Sequence, residues 1–222
     1  MSKAVLFDVD GVLVDSYRAH LESWQRLAAE TDVTFTQQQF HETFGRRSRD
    51  ILASFWPVER FPSSMYQELD DRKEALYREI VSDSFPGMEG SLRLIDDLRR
   101  DGWQLAAASS GPPENVHLVL RRLDRIAAFG AVITGRDVRH GKPNPQVFEL
   151  AARAVGVPPE SCVVIEDAPA GIEAAHAAGM VAVGLCSTGR TRQELRDAEL
   201  VVDGLAELTP QVLANLLVDP SA

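Results

Sequence analysis

The chain has 222 residues, of which 45% are hydrophobic and 25% charged, so it is a globular protein with room for one large domain or a domain carrying an insertion. Its formal net charge of -10 disfavours a general nucleic-acid or anionic-membrane surface, because phosphate backbones are bound chiefly by Lys and Arg. A phosphate-bearing ligand must therefore meet locally placed cations or a metal, and no apolar stretch approaches the length of about 18 residues that a membrane span needs.

Met1-Ser2-Lys3 runs directly into the apolar strand Ala4 to Phe7 without the parts of a signal peptide, which makes a cytoplasmic location the default expectation. Asp8 and Asp10 close that strand and Gly11 follows at once. In a strand, residues i and i+2 point to the same side, so both carboxylates leave toward one small volume. Two like charges that close resist joint ionisation unless a cation or a chemical task requires them. The alternative is a solvated Asp-Gly turn.

From about Ser16 to Phe85 the pattern is helical, with apolar periodicity at His20, Leu21, Trp24, Leu27 and Ala28, then around Phe40, Phe44, Ile51, Leu52 and Phe55, then at Leu69, Leu76, Tyr77 and Ile80. Ser84-Phe85-Pro86-Gly87 reads as a return linker. Beyond it, apolar runs at Gln104 to Ala108, Ala131 to Ile133, Cys162 to Ile165, Val181 to Leu185 and Leu200 to Val202 read as strands. Between them lie helix-like segments: Asn144-Pro145 opens QVFELAARAV, which Gly156 closes, and Pro169 to Ala178 is closed by Gly179. Alternating strands and helices predict an α/β fold, a mainly parallel sheet covered on both faces, with 16–85 as a helical insertion between residues 1–15 and 86–222. Cys162 and Cys186 adjoin strand-like runs and read as buried thiols, giving no disulfide framework or metal pattern.

Open parallel sheets bind ligands outside the carboxyl ends of their strands. That rule gathers Asp8, Asp10, Ser109, Ser110, Lys142, Glu166 and Asp167 on one rim, since each follows a strand or lies in the loop after one. Four carboxylates there suit a hard divalent cation such as Mg²⁺, with Asp8 and Asp167 as leading ligands, the main-chain carbonyl of Asp10 between them and Glu166 acting through water. For Glu166-Asp167 the alternative is an acidic pair at a helix N-terminus, for Lys142 an exposed loop lysine, and for Ser109 a turn hydroxyl. A carboxylate beside a metal suggests covalent phosphoryl transfer, with Asp8 as nucleophile, Asp10 as acid/base, and Ser109 and Lys142 meeting the charge of the transferring group.

DVDGV at Asp8 to Val12, Ser109 at a strand end, Lys142-Pro143 and VIEDAPAGI from Val164 to Ile172, in this order, resemble the haloacid dehalogenase superfamily over nearly the whole chain. The resemblance implies a Rossmann-like core and a helical cap at 16–85, Mg²⁺ dependence and phosphoryl chemistry, because members with an acid at the place of Asp10 are typically phosphatases or phosphomutases. GRRSRD and DDRKEALY are similar to cap segments of β-phosphoglucomutase-like members, which implies substrate contacts for Arg49 and Lys73, with Ser16 and His20 on further matching positions. Ser16, His20 and Trp24 are spaced to share one helix face. Arg46 and Arg47 complete a basic cluster that otherwise reads as a solvated helix turn. Ser110 and Asn115 are further candidates for substrate binding, although Gly111-Pro112-Pro113 between them departs from the polar loop of the mutases.

The expected function is a Mg²⁺-dependent phosphatase of a small phosphorylated metabolite, acting through an aspartyl-phosphate, in a monomer or weak homodimer with neither nucleic-acid nor membrane partners. The alternative is a β-phosphoglucomutase-like isomerase. A slowly hydrolysing phosphate-responsive module is a third reading, disfavoured because a long-lived phosphoaspartate has no use for Asp10.

Overall fold

A computed structural model of the chain describes residues 2–43 and 48–217. The described residues fall into two compact units, 2–15 with 86–217, and 16–43 with 48–85. Among the described residues the first unit holds strands β1 (Ala4–Phe7), β2 (Gln104–Ala108), β3 (Ala131–Ile133), β4 (Cys162–Glu166), β5 (Val181–Leu185) and β6 (Leu200–Val202), and α-helices α5 (Ser91–Arg100), α6 (Pro113–Arg122), α7 (Gln146–Val155), α8 (Pro169–Ala177) and α9 (Pro210–Leu216). The second unit holds α1 (Tyr17–Glu30), α2 (Gln37–Thr43), α3 (Ser48–Phe55) and α4 (Tyr66–Asp83).

All six strands pair in parallel in the order β3-β2-β1-β4-β5-β6. The order reverses at β1, which has β2 on one side and β4 on the other, so the crevice beyond the carboxyl end of β1 is the switch point of the sheet. Ala4 to Phe7 and Cys162 to Glu166 are buried at every position, the uninterrupted pattern of strands covered on both faces. Register then decides what meets at the crevice. Phe7 aligns with Ala107 and Ile165, and the Asp8 N–H continues the ladder to the Ile165 carbonyl at 3.0 Å. Asp8, Glu166 and Ser109 therefore leave three adjacent strands at nearly one level.

Helix ends follow the sequence punctuation with small shifts. α7 starts at Gln146, one residue after the predicted Pro145, yet Asn144 Oδ1 accepts from the Gln146 N–H at 3.1 Å and still serves the helix start. Gly156 closes it at φ 69°. α8 ends at Ala177, one residue short of the expected Ala178. Phe148 and Ala151 of α7, Ile172 and Ala175 of α8, and Leu6 and Val164 of the central strands belong to one buried cluster.

The helical unit builds its own core from Trp24, Leu27, Phe35, Phe40, Ile51, Leu52, Trp56 and Leu76. α1 and α4 carry the periodic positions expected of them, while Phe44, Arg46 and Arg47 lie outside the described residues. One expectation fails: Cys162 is buried, but Cys186 is only half-buried, because it stands one residue past β5 where the chain turns into a loop.

Candidate active site

Asp8, Glu166 and Asp167 are buried, and each offers a carboxylate oxygen within 4.8 Å of the others. Lys142, from the loop between β3 and α7, reaches into this group. Its Nζ donates to Asp8 Oδ1, to Glu166 Oε1 at 2.5 Å and more weakly to the Ala108 carbonyl at 3.4 Å, and it sits 4.9 Å from the centre of the Phe148 ring. Burial works against the Lys142 charge, but the Asp8 and Glu166 carboxylates outweigh it and hold the ammonium above the ordinary lysine range. The cation is thus fixed at any ordinary pH.

The carboxylates are pushed the other way. Burial raises Asp8 well above the usual range, Lys142 opposes the shift, and the neighbouring Glu166, Asp167 and Asp10 add to it. Burial and Glu166 together lift Asp167 to about 7, against a hydrogen bond from Thr188. One ammonium does not neutralise three enclosed carboxylates, and this donor set of hard, crowded oxygens fits a divalent cation.

Glu166 differs from the other two in having both oxygens engaged. Oε1 takes Lys142, and Oε2 accepts from the Asp167 and Ala168 N–H groups, both at 2.9 Å. Its side chain occupies the space that a Cβ on residue 171 would need, which is why Gly171 follows in α8. Asp10 is half-buried, and its carboxylate lies outside the 4.8 Å group but near enough for its charge to act on Asp8 and Asp167. A Cβ on residue 111 would lie 3.6 Å from Asp10 Oδ2 and 3.2 Å from Ser109 Oγ, so Asp10 and Ser109 converge on the Gly111 backbone. Ser109 is buried, and its Oγ accepts from the Gly111 N–H at 3.0 Å.

Gly11 is required twice over. Its φ of 77° lies in the left-handed region, and a Cβ there would meet the Asp167 carboxylate. Gly11→Ala is expected to destabilise the protein by about 2 kcal/mol or more, the sum of a strained backbone and a displaced carboxylate, which urea denaturation would measure. A stability within about 0.5 kcal/mol of wild type would show that the turn adapts.

Ser110 is exposed and Asn115 is buried in the first turn of α6. In the helical unit, Lys73 is buried; its Nζ lies 2.9 Å from His20 Nδ1 and donates to Glu74 Oε1 at 2.8 Å. The His20 ring stacks on Tyr77 with centroids 4.2 Å apart, and Lys73 lies 5.4 Å from the Trp24 ring centre. Ser16 is fully buried and its Oγ has no hydrogen-bond partner among the described residues, whereas Arg49 is exposed in the first turn of α3.

The residue that sequence reading missed is Thr188, whose Oγ1 donates to Asp167 Oδ2 at 2.5 Å. It lies just past the carboxyl end of β5, so the rim rule that selected the other residues would have found it had the loop after Leu185 been included.

Comparison with known proteins agrees with this geometry. The model of the haloacid dehalogenase-like hydrolase family matches residues 2–179. The β-phosphoglucomutase of Bacillus subtilis (strain 168) is 34% identical over 217 residues, covering 95% of this chain and 93% of that protein. The validoxylamine A 7'-phosphate phosphatase of Streptomyces hygroscopicus subsp. limoneus is 30% identical over 208 residues, covering 94% and 96%. In fold, the crystal structure of β-phosphoglucomutase from Clostridium difficile superposes with a TM-score of 0.83 at 24% identity over 98% of this chain and 97% of that one. The chain accordingly belongs to the haloacid dehalogenase-like hydrolase family and is an enzyme of phosphoryl transfer or hydrolysis.

Proposed function

We propose that the chain is a Mg²⁺-dependent phosphatase that hydrolyses a small phosphorylated metabolite, a sugar phosphate or a phosphoglycolate-like acid, through a phosphoaspartate on Asp8. The observation that carries this reading is the buried Lys142 ammonium shared between Asp8 and Glu166 beside Asp167. Such a cluster holds a nucleophilic carboxylate, a fixed cation and further oxygen ligands in one enclosed volume.

Asp8 and Asp167, with the main-chain carbonyl of Asp10, are the residues assigned to hold Mg²⁺. When bound, Mg²⁺ supplies positive charge for the phosphoryl oxygens. The remaining work falls to side chains. Asp8 forms a carboxylate O–P bond as the bond from phosphorus to the substrate oxygen breaks, and Asp10 gives that oxygen its proton. Asp10, now a carboxylate, takes a proton from water as the water oxygen bonds to phosphorus. The bond to Asp8 then breaks, releasing phosphate and restoring both residues. Lys142 holds Asp8 in place through the cycle, and the Ser109 hydroxyl is assigned to the transferring group. Glu166, with both oxygens engaged, orients Lys142 and the Asp167 backbone.

Recognition of the rest of the substrate is assigned to Ser16, His20, Arg49 and Lys73 of the helical unit and to Ser110 and Asn115. The Streptomyces relative, named for a phosphatase, favours hydrolysis. The Bacillus relative supports a second reading, in which Asp10 activates a sugar hydroxyl in place of water.

Both readings meet in one assay: phosphate release from a panel of sugar phosphates and phosphoglycolate with Mg²⁺, beside conversion of β-glucose 1-phosphate to glucose 6-phosphate with a bisphosphate primer. Release without isomerisation is the expected result. Isomerisation with little release would replace the phosphatase by the mutase, and neither activity would remove both.

A further inference from the structure

The loop after β5 closes over the acidic centre at two points. Ser187 Oγ donates to the Gly11 carbonyl at 2.5 Å, and Thr188 Oγ1 donates to Asp167 Oδ2 at 2.5 Å. The loop is anchored behind these contacts, with the Cys186 N–H on the Val202 carbonyl at 2.8 Å and the Arg190 N–H on the Ser187 carbonyl at 2.9 Å. Thr188 itself is held at φ 52°, in the left-handed region where a β-branched residue is a genuine outlier. A loop that only had to turn would place Gly or Asn there. Gly189 stands next in the chain, also in the left-handed region at φ 81°, so the backbone strain at Thr188 is set against what its side chain contributes.

The need for that side chain is visible at Asp167. Its N–H is taken by Glu166, which fixes the backbone but leaves the carboxylate to whatever touches its oxygens. Among the described residues, it is the Thr188 hydroxyl that donates to this carboxylate. The absence of a Cβ at Gly11 makes room for the same oxygen, since a Cβ built there would collide with Asp167 Oδ2 and stand 3.0 Å from Thr188 Cγ2. A neutral hydroxyl orients a carboxylate without adding a charge that would compete with a cation for it. Lys142, by contrast, shares its single positive charge between Asp8 and Glu166.

We infer that Thr188 is a positioning residue for the candidate metal centre: its hydroxyl holds the Asp167 carboxylate in place for cation binding, while Ser187 ties the same loop to the backbone beside the Asp8–Asp10 pair. This rests on the reading that the acidic cluster binds a divalent cation. Partners that orient a metal ligand typically change affinity by about 10–100-fold when removed. The effect belongs to metal affinity before any substrate is present.

The test is Mn²⁺ binding to the metal-stripped full-length protein, followed by calorimetry and by the electron paramagnetic resonance of free Mn²⁺. Thr188→Val keeps shape and β-branching but lacks the hydroxyl, and should weaken the Kd by about tenfold or more. Thr188→Ser keeps the hydroxyl and should stay within about threefold of wild type, with metal-free thermal midpoints matching in all three proteins. Thr188→Ala takes the place of the Val variant if that one misfolds. Wild-type affinity in the hydroxyl-free variant would overturn the role of Thr188 and leave the metal centre standing. Equal weakening by Ser and Val would also overturn it, as a packing effect. Failure of the wild-type protein itself to bind Mn²⁺ would overturn the cation reading on which the inference rests.

Discussion

Replacing Asp8 by Asn should reduce phosphate release by about 10⁴-fold or more while leaving the protein folded. The carboxamide has nearly the shape of the carboxylate but is a poor nucleophile toward phosphorus, and losses of this order accompany removal of a covalent nucleophile. The fold should tolerate the change, because burial already opposes the Asp8 charge and Lys142 retains Glu166 as a partner. Acid-quenched wild type should carry a phosphoryl group detectable by mass, and Asp8→Asn should carry none. Asp10→Asn separates the two aspartates. It should lose about 10²–10⁴-fold on an alkyl phosphate, whose leaving oxygen needs a proton, and still label Asp8 from an aryl phosphate, whose leaving group does not. Wild-type turnover in Asp8→Asn would sink the covalent mechanism.

Lys142→Met is the second large effect, and it acts on stability as well as rate. The Lys142 side chain is 11% exposed, and those of Asp8 and Glu166 are 8% and 2% exposed, so the group is desolvated and solvent does little to screen it. Removing one partner of a buried pair leaves an uncompensated charge, at a cost of about 3–5 kcal/mol. Asp8 limits the loss, since burial already raises its pKa and protonation would relieve the repulsion from Glu166. We expect a loss near the lower end, about 3 kcal/mol, or a fall of about 6–12 °C in Tm for a protein of this size in metal-stripped buffer. Adding Glu166→Gln should recover part of it by removing one of the stranded charges. An unchanged Tm in Lys142→Met would mean that the ammonium is not buried among these carboxylates in solution. Phosphate release should fall by about 10²–10³-fold, as expected when a fixed charge stabiliser is lost.

Much of this centre was legible in one dimension. Asp8 and Asp10 sit two apart at the end of an apolar run, and strand geometry alone turns both toward one volume. The alternation of apolar runs with capped helical segments gave a parallel α/β sheet, and the strand-end rule gathered Ser109, Lys142, Glu166 and Asp167 beside the pair. These are local signals: backbone period, capping residues and turn glycines act within a few residues and so are written in consecutive letters.

Which partners each carboxylate takes was not legible, because they are brought together by register and crossover. The pair of Lys142 with Asp8 joins residues 134 apart in the chain, and that of Thr188 with Asp167 joins residues 21 apart. Strand-end spacing gathered four acids on one rim, with Asp8 and Asp167 as leading metal ligands, Asp10 contributing its main-chain carbonyl and Glu166 acting through water. The tertiary structure sorts them into three that converge and one, Asp10, that stands beside Gly111. It further separates Glu166, engaged at both oxygens by Lys142 and two backbone N–H groups, from Asp167, whose carboxylate is held by a neutral hydroxyl. The sequence by itself determined the sheet, the rim and the acidic character of the centre, since those follow from local periodicity and hydrophobic burial. Only the tertiary structure decided which oxygen faces which donor. Hydrogen bonding and desolvation are set by atoms within a few ångströms in space, and the chain order carries no record of them.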